Sequence, residues 1–301
     1  MPTSSERQQV LLAAIPTVFV LIWSTGFVVA RFGMPHAPPL GFLVIRYALS
    51  VLCFAVWIRW ARAPWPTGRR QWMHLAVTGV LMHAGYLGGV WAAVKAGIGA
   101  GTVALLVGLQ PLLTAIWLTV CEGDDPHARH TISAPQWLGL LLGLAGLGLV
   151  VWRKLGVGEI SAFNLSLALF ALLSITAGTL YQKRFVRRAD MRTANTIQLV
   201  AAFVVTLPLA LLERESVDWH PQMIAAMAWS VLVLTLGGSS LLYLLIQRGA
   251  VTQVASLLYL VPPCTASMAW LLFGESFTPT MFAGMLLTVI GVALVVRTAP
   301  R

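Results

Sequence analysis

His83 and Tyr86 stand three residues apart in a long apolar run and therefore share one helical face. Ser239, Ser240, Tyr243 and Gln247 form a second polar stripe at spacings of three and four, and Gln253, Ser256 and Tyr259 form a third. Trp23, Ser24 and Thr25 fall in the first apolar run, Gln110 stands beside Pro111, and Ser174, Thr176 and Tyr181 mark a later run. Polar groups within a membrane are costly and tend to face a cavity or a partner. Trp23, Ser24, His83, Tyr86, Trp91, Gln110, Ser174, Tyr181, Ser240, Tyr243 and Tyr259 are therefore candidates to contact a small-molecule substrate. The competing account is local: Ser and Thr bond carbonyls of their own helix, and Trp and Tyr sit in interfacial belts.

Pro111 and Pro262 each interrupt a hydrogen-bond ladder inside an apolar run, which frees carbonyls and kinks the helix. Such a pair suits gating, with exposed backbone acceptors for a substrate ammonium. Arg46 lies about six residues from the end of its run, roughly 9 Å at helical rise, within snorkelling reach. It serves either as a carboxylate ligand or as an interfacial or interhelical anchor. All ten Asp and Glu fall at or outside the ends of the runs, so a carboxylate proton relay is not expected. His83 is then the titrating group within the membrane, and either facilitated diffusion or weak proton coupling through it is expected. The aromatic, uncharged cavity these residues imply suits a neutral zwitterion with an apolar side chain.

The elements that position these groups follow from composition. With 58% hydrophobic and 10% charged residues, the chain cannot cover itself with polar surface as a soluble domain does. Apolar runs of membrane-spanning length occur at Val10–Ala30, Leu40–Trp60, Trp72–Val94, Thr102–Cys121, Pro135–Trp152, Ala162–Gln182, Thr196–Leu212, Met223–Gln247, Val251–Phe273 and Pro279–Val296. The expected fold is all-α and integral to the membrane, with ten transmembrane helices. The net charge of +10 sits in short loops, which points to membrane orientation and not to nucleic acid. With the N-terminus cytoplasmic, that side carries 14 Lys and Arg against 5 on the other, so both termini are expected there. Cys53, Cys121 and Cys264 lack the spacing of a disulfide framework or metal site. No nucleophile, base or metal cluster converges, so no enzyme, metal or cofactor is expected.

An offset of about 151 residues lays Trp23 to Arg31 over Ile175 to Lys183, Ile45-Arg46 over Ile197-Gln198, Trp91 and Gly97 over Tyr243 and Gly249, and Pro111 near Pro262. Gly139 and Gly146 correspond to Gly284 and Gly291 with a slightly smaller offset. Two five-helix copies, residues 1–155 and 156–301, each with an odd number of spans, make an inverted repeat with a site near the midplane.

Leu21 to Phe27, Arg46, the pattern from Val103 to Pro111, Val254-Ala255 through Pro262 to Gly274-Glu275, Gly284 and Gly291-Val292 together make the chain resemble the EamA type of the drug/metabolite transporter superfamily. Glu122 follows Pro111 by eleven residues where Glu275 follows Pro262 by thirteen, a departure around one loop. The resemblance implies an inner-membrane carrier of small metabolites, often amino acids, with aromatic ones a candidate class. It further implies that helices one, three, four, six, eight and nine line the cavity while five and ten pack together. A monomer or weak homodimer in the lipid bilayer is expected. A broad drug exporter of the same fold and a passive channel are the rival readings.

Overall fold

The computed structural model describes residues 4–121, 134–156, 158–187, 189–247, 258, 260–275 and 278–298. Among them every regular element is helical. The first half comprises α1 (Ser4–Gly33), α2 (Pro39–Ala61), α3 (Arg69–Gly79), a π-helical segment π1 (Val80–Gly85), α4 (Tyr86–Lys95), α5 (Ala100–Val107), α6 (Gln110–Cys121) and α7 (Ala134–Gly156). The second comprises α8 (Ala162–Phe185), α9 (Met191–Ala210), α10 (Pro221–Ala228), π2 (Trp229–Gly238), α11 (Ser239–Gln247), α12 (Val261–Phe273) and α13 (Pro279–Thr298).

Among the described residues, seven stretches are long and apolar enough to cross a membrane: Ala14–Gly33, Pro39–Ala61, Arg69–Lys95, Trp137–Gly156, Ala162–Phe185, Met191–Ala210 and Pro221–Leu241. Ala100–Thr114, Val261–Phe273 and Pro279–Leu294 are apolar but shorter. The fourth apolar run is not one continuous helix. It breaks at Gly108-Leu109 between α5 and α6, which places Pro111 in the first turn of α6, where a missing N–H disturbs no internal bond. Pro262 likewise sits in the first turn of α12, and a Cβ added to Gly108 would lie 2.8 Å from its Cγ. The two proline-bearing segments therefore meet where the glycine has no side chain.

Large apolar side chains point outward: Val56 is 72% and Leu271 71% exposed, as lipid contact requires. Inside, α2 packs on α9, α4 on α8, and α7 along α13. The α7–α13 contact is set by glycines, since a Cβ on Gly284 would lie 2.7 Å from the Gly146 carbonyl oxygen.

One end of the bundle is stitched by carboxylates on helix N-termini. Glu213 accepts from Leu40 N at 3.1 Å and Gly41 N at 2.8 Å, at the start of α2. Glu275, just after α12, accepts from Ala100 N at 2.9 Å, and Glu159 accepts from Gly99 N at 3.0 Å, both at the start of α5. These bonds satisfy donors that the helices leave open and set negative charge on the positive end of each dipole. Lys95 adds a bond to Glu215 at 2.6 Å, and Lys154 pairs with Glu159.

Candidate functional site

A cavity of about 130 Å³ lies in the middle of the bundle, walled by both halves of the chain. From α1 come Trp23, Gly26 and Phe27; from π1 and α4 come Met82, His83, Tyr86, Leu87, Val90 and Trp91. The second half supplies Ile175 of α8, Leu234 and Thr235 of π2 and Ser239 of α11. Arg46 of α2 completes the wall.

Local sequence explains why these groups converge. His83 to Trp91 span two turns of one helix, and the wider π turn of Val80–Gly85 presents Met82 and His83 on the same side as Tyr86. Small residues let neighbours close in behind them: a Cβ on Gly89 would lie 2.9 Å from the Leu167 carbonyl oxygen of α8. Trp91 is almost fully buried and stacks on Phe42 with ring centroids 4.3 Å apart, and Trp23 packs on Phe19 at 5.3 Å. These ring contacts, one stacked and one tilted, fix ring orientation before any ligand arrives.

The polar atoms of the wall are held as firmly. The Tyr47 hydroxyl donates to the His83 carbonyl at 2.9 Å, and the His83 side chain is hydrogen-bonded to Gln198 of α9. Thr235 donates its hydroxyl proton to the Ser230 carbonyl, five residues back, at 2.8 Å, a reach that fits the π register. Its oxygen then accepts from Arg46 Nε at 3.4 Å and Nη2 at 3.2 Å. Arg46 is 8% exposed, so its charge is withdrawn from the surface and presented to the cavity.

Of the residues singled out from sequence, Trp23, His83, Tyr86 and Trp91 line this cavity. Ser24 turns to the backbone, donating to the Val20 carbonyl at 2.7 Å, and Ser240 does the same to Leu236 at 2.6 Å. Gln110 donates to Thr179 Oγ1 at 3.1 Å. Ser174 packs at Gly85, behind the wall, and Tyr181 shares a 2.8 Å hydrogen bond with His74 near one end of the bundle. Tyr259 and the side chain of Tyr243 lie outside the described residues. Pro111 and Pro262 stand at the helix breaks and not in the cavity wall.

Sequence reasoning placed an uncharged cavity here, and Arg46 corrects that. Thr235 was missed, with no sequence signal to mark it, and of the polar stripe in the eighth run it is Ser239 that lines the wall and not Ser240. A larger cavity, about 490 Å³, is lined by Arg70, Gln71, His74, Arg184 and Arg187 at the helix ends. Because α1, π2 and α11 contribute nothing to it, it is not a site enclosed by the centre of both halves.

Comparison with known proteins bears on what this cavity serves. The model of the EamA-like transporter family matches residues 10–152 and again 162–297. The uncharacterized transporter YvbV of Bacillus subtilis is 25% identical over 292 residues, covering 96% of this chain and 91% of its own. A Salmonella typhimurium protein named "Probable amino-acid metabolite efflux pump" is 24% identical, with 90% of each chain covered. An Escherichia coli protein of the same name is 22% identical, again with 90% of each covered. One crystal structure superposes with a TM-score of 0.62 at 18% identity, over 95% of this chain and 98% of that one, a likeness of fold.

Proposed function

The chain belongs to the EamA-like transporter family, and from that premise we propose that it exports small metabolites across the bacterial inner membrane by alternating access, amino acids first among them. The observation that carries this reading is the central cavity, aromatic on one side and built by both halves around His83, Tyr86, Trp23 and Thr235. A site shared between two halves is what rocking one half against the other exposes to each side in turn. Two five-helix copies, residues 1–155 and 156–301, in ten helices with inverted topology fit the double family match and the three shorter apolar helices that join the seven long ones. The excess of Lys and Arg on one side orients both termini to the cytoplasm.

The amino-acid assignment draws support from the names of the Salmonella and Escherichia relatives. Aromatic amino acids lead because Trp23, Tyr86 and Trp91 offer ring faces. The size of the cavity counts against a broad drug exporter, since about 130 Å³ falls below the roughly 300–1,000 Å³ of drug-sized sites.

The test is uptake of a labelled amino-acid panel into proteoliposomes, with and without a pH gradient. Saturable flux that unlabelled substrate on the far side accelerates is the expected result and separates a carrier from a channel. Absence of uptake for every amino acid overturns the substrate class, and flux without saturation overturns the carrier mechanism.

A further inference from the structure

Arg46 is a charge without a counter-charge among the described residues. Its hydrogen bonds go to a single hydroxyl, Thr235 Oγ1, although a guanidinium carries five N–H donors. The described carboxylates are engaged elsewhere: Glu159, Glu213 and Glu275 on helix N-termini, Asp190 on Arg192, Glu215 on Lys95 and Asp218 on His36. The groups facing Arg46 include no carboxylate: Tyr47 beside it on α2, Tyr86 on α4, His83 on π1 and Thr235 on π2. A buried cation in a membrane protein is tolerated where it lines a cavity or meets a partner, and here the open side of the guanidinium is the cavity itself.

We propose that Arg46 anchors the carboxylate of the transported molecule and that the site selects small monocarboxylates with an apolar, preferably aromatic, body, the amino group being dispensable. This deepens the carrier reading above and rests on it. The guanidinium fork matches a carboxylate in two parallel bonds, while Trp23 and Tyr86 face the rest of the ligand. No described carboxylate reaches the cavity to pair with an ammonium, so an amine finds only ring faces and hydroxyls, and its loss leaves no buried anion behind. One guanidinium with no second Lys or Arg in the wall does not match a phosphate dianion, which separates this site from one for sugar phosphates.

Binding to the purified full chain, read by ligand-induced thermal shift and by tryptophan fluorescence, tests this independently of flux. The probes are phenylalanine, phenylpyruvate, phenylalanine amide, phenethylamine and sodium chloride. Phenylalanine and phenylpyruvate are expected to bind within about tenfold of each other, whereas the amide and the amine, lacking the carboxylate, lose about 100-fold or more. Arg46→Lys is expected to keep weakened carboxylate binding, and Arg46→Gln to lose it while remaining folded by circular dichroism. If Arg46→Gln does not fold, the ligand series on the wild type and on Arg46→Lys decides alone. Phenethylamine binding as tightly as phenylpyruvate, undiminished carboxylate binding in Arg46→Gln, or a response to chloride only overturns the proposal. Carboxylate binding without flux sinks the carrier reading and leaves the anchor; flux of amines without carboxylate binding does the reverse.

Discussion

Replacing Glu275 by Gln keeps an acceptor oxygen at the start of α5 and removes the charge. In the wild type Oε1 accepts from Ala100 N at 2.9 Å, and Oε2 from Gly101 N at a marginal 3.4 Å, so one strong charge-assisted bond is at stake. A carboxylate at a helix N-terminus contributes about 0.3–1 kcal/mol when exposed and up to about 2 when partly buried, so the half-buried Glu275 is worth about 1 kcal/mol of charge. Glu275→Ala also orphans the N–H of fully buried Ala100, raising the loss to about 2–3 kcal/mol. Because Glu275 follows α12 and α5 belongs to the other half, this energy holds the halves together at one end. Opening at that end should therefore become about fivefold more populated in the Gln variant and about thirtyfold or more in the Ala variant. Phe32 and Phe273 pack nearby with rings 4.8 Å apart, so cysteines placed at both positions, in a chain with Cys53, Cys121 and Cys264 replaced, report closure through a short bis-maleimide. Cross-linking should slow from wild type to Gln to Ala. Equal rates in three folded proteins would refute the assignment of this contact as a closing element.

Gly284→Leu should lower thermal stability in detergent by about 1–3 kcal/mol through its clash with Gly146 and Val150, whereas Gly148→Ala, with open space around it, should gain about 0.5–1 kcal/mol. The hydrogen bonds of Asp190 with the Arg192 side chain hold its carboxyl below the usual aspartate range. That stabilisation is fully present above the unfolded-state value of about 3.9 and is lost as pH falls through the lower native value, so Asp190→Asn should melt earlier than wild type at neutral pH and match it only once the pH has fallen below that native value. If a pH gradient stimulates uptake, the coupled alternative to facilitated diffusion, His83→Ala should abolish that stimulation; stimulation equal to that of wild type would remove His83 from the coupling.

What sequence made legible is what the bilayer dictates. Apolar length exposes a spanning helix whatever its neighbours are, which is why the runs from Leu40 and Ala162 reappear as α2 and α8 within a few residues. Spacing along one helix was readable too, and His83, Tyr86 and Trp91 do share the cavity wall. For Arg46 the sequence left a carboxylate ligand and an interfacial or interhelical anchor open, because distance from a helix end says nothing about azimuth; the side chain turns across to Thr235 on π2 and does not run out to the interface. Ser24 and Ser240 drew attention as polar residues yet satisfy themselves four residues back, a choice between two acceptors that spacing cannot resolve. The carboxylate caps were invisible for another reason. Glu275 and Ala100 are 175 residues apart, and nothing in either local sequence names the other.

The two π segments were equally hidden, and they bear most directly on function. An offset of about 151 carries Val80–Gly85 into Trp229–Gly238, so the two halves hold the same irregular backbone at corresponding places. Both segments wall the cavity, one with Met82 and His83 and the other with Leu234 and Thr235. An isolated π turn is a local accommodation, but a matched pair lining one cavity is difficult to explain by packing alone, because the side chains differ while the backbone is shared. A π turn widens the helix and loosens its ladder, which makes it a place where the helix bends with little loss of bonding. Alternating access through a shared site needs such a place in each half at the same depth. Pro111 and Pro262 stand at helix starts, where a missing N–H disturbs no internal bond, so if the chain works by alternating access, as proposed above, bending is expected at π1 and π2.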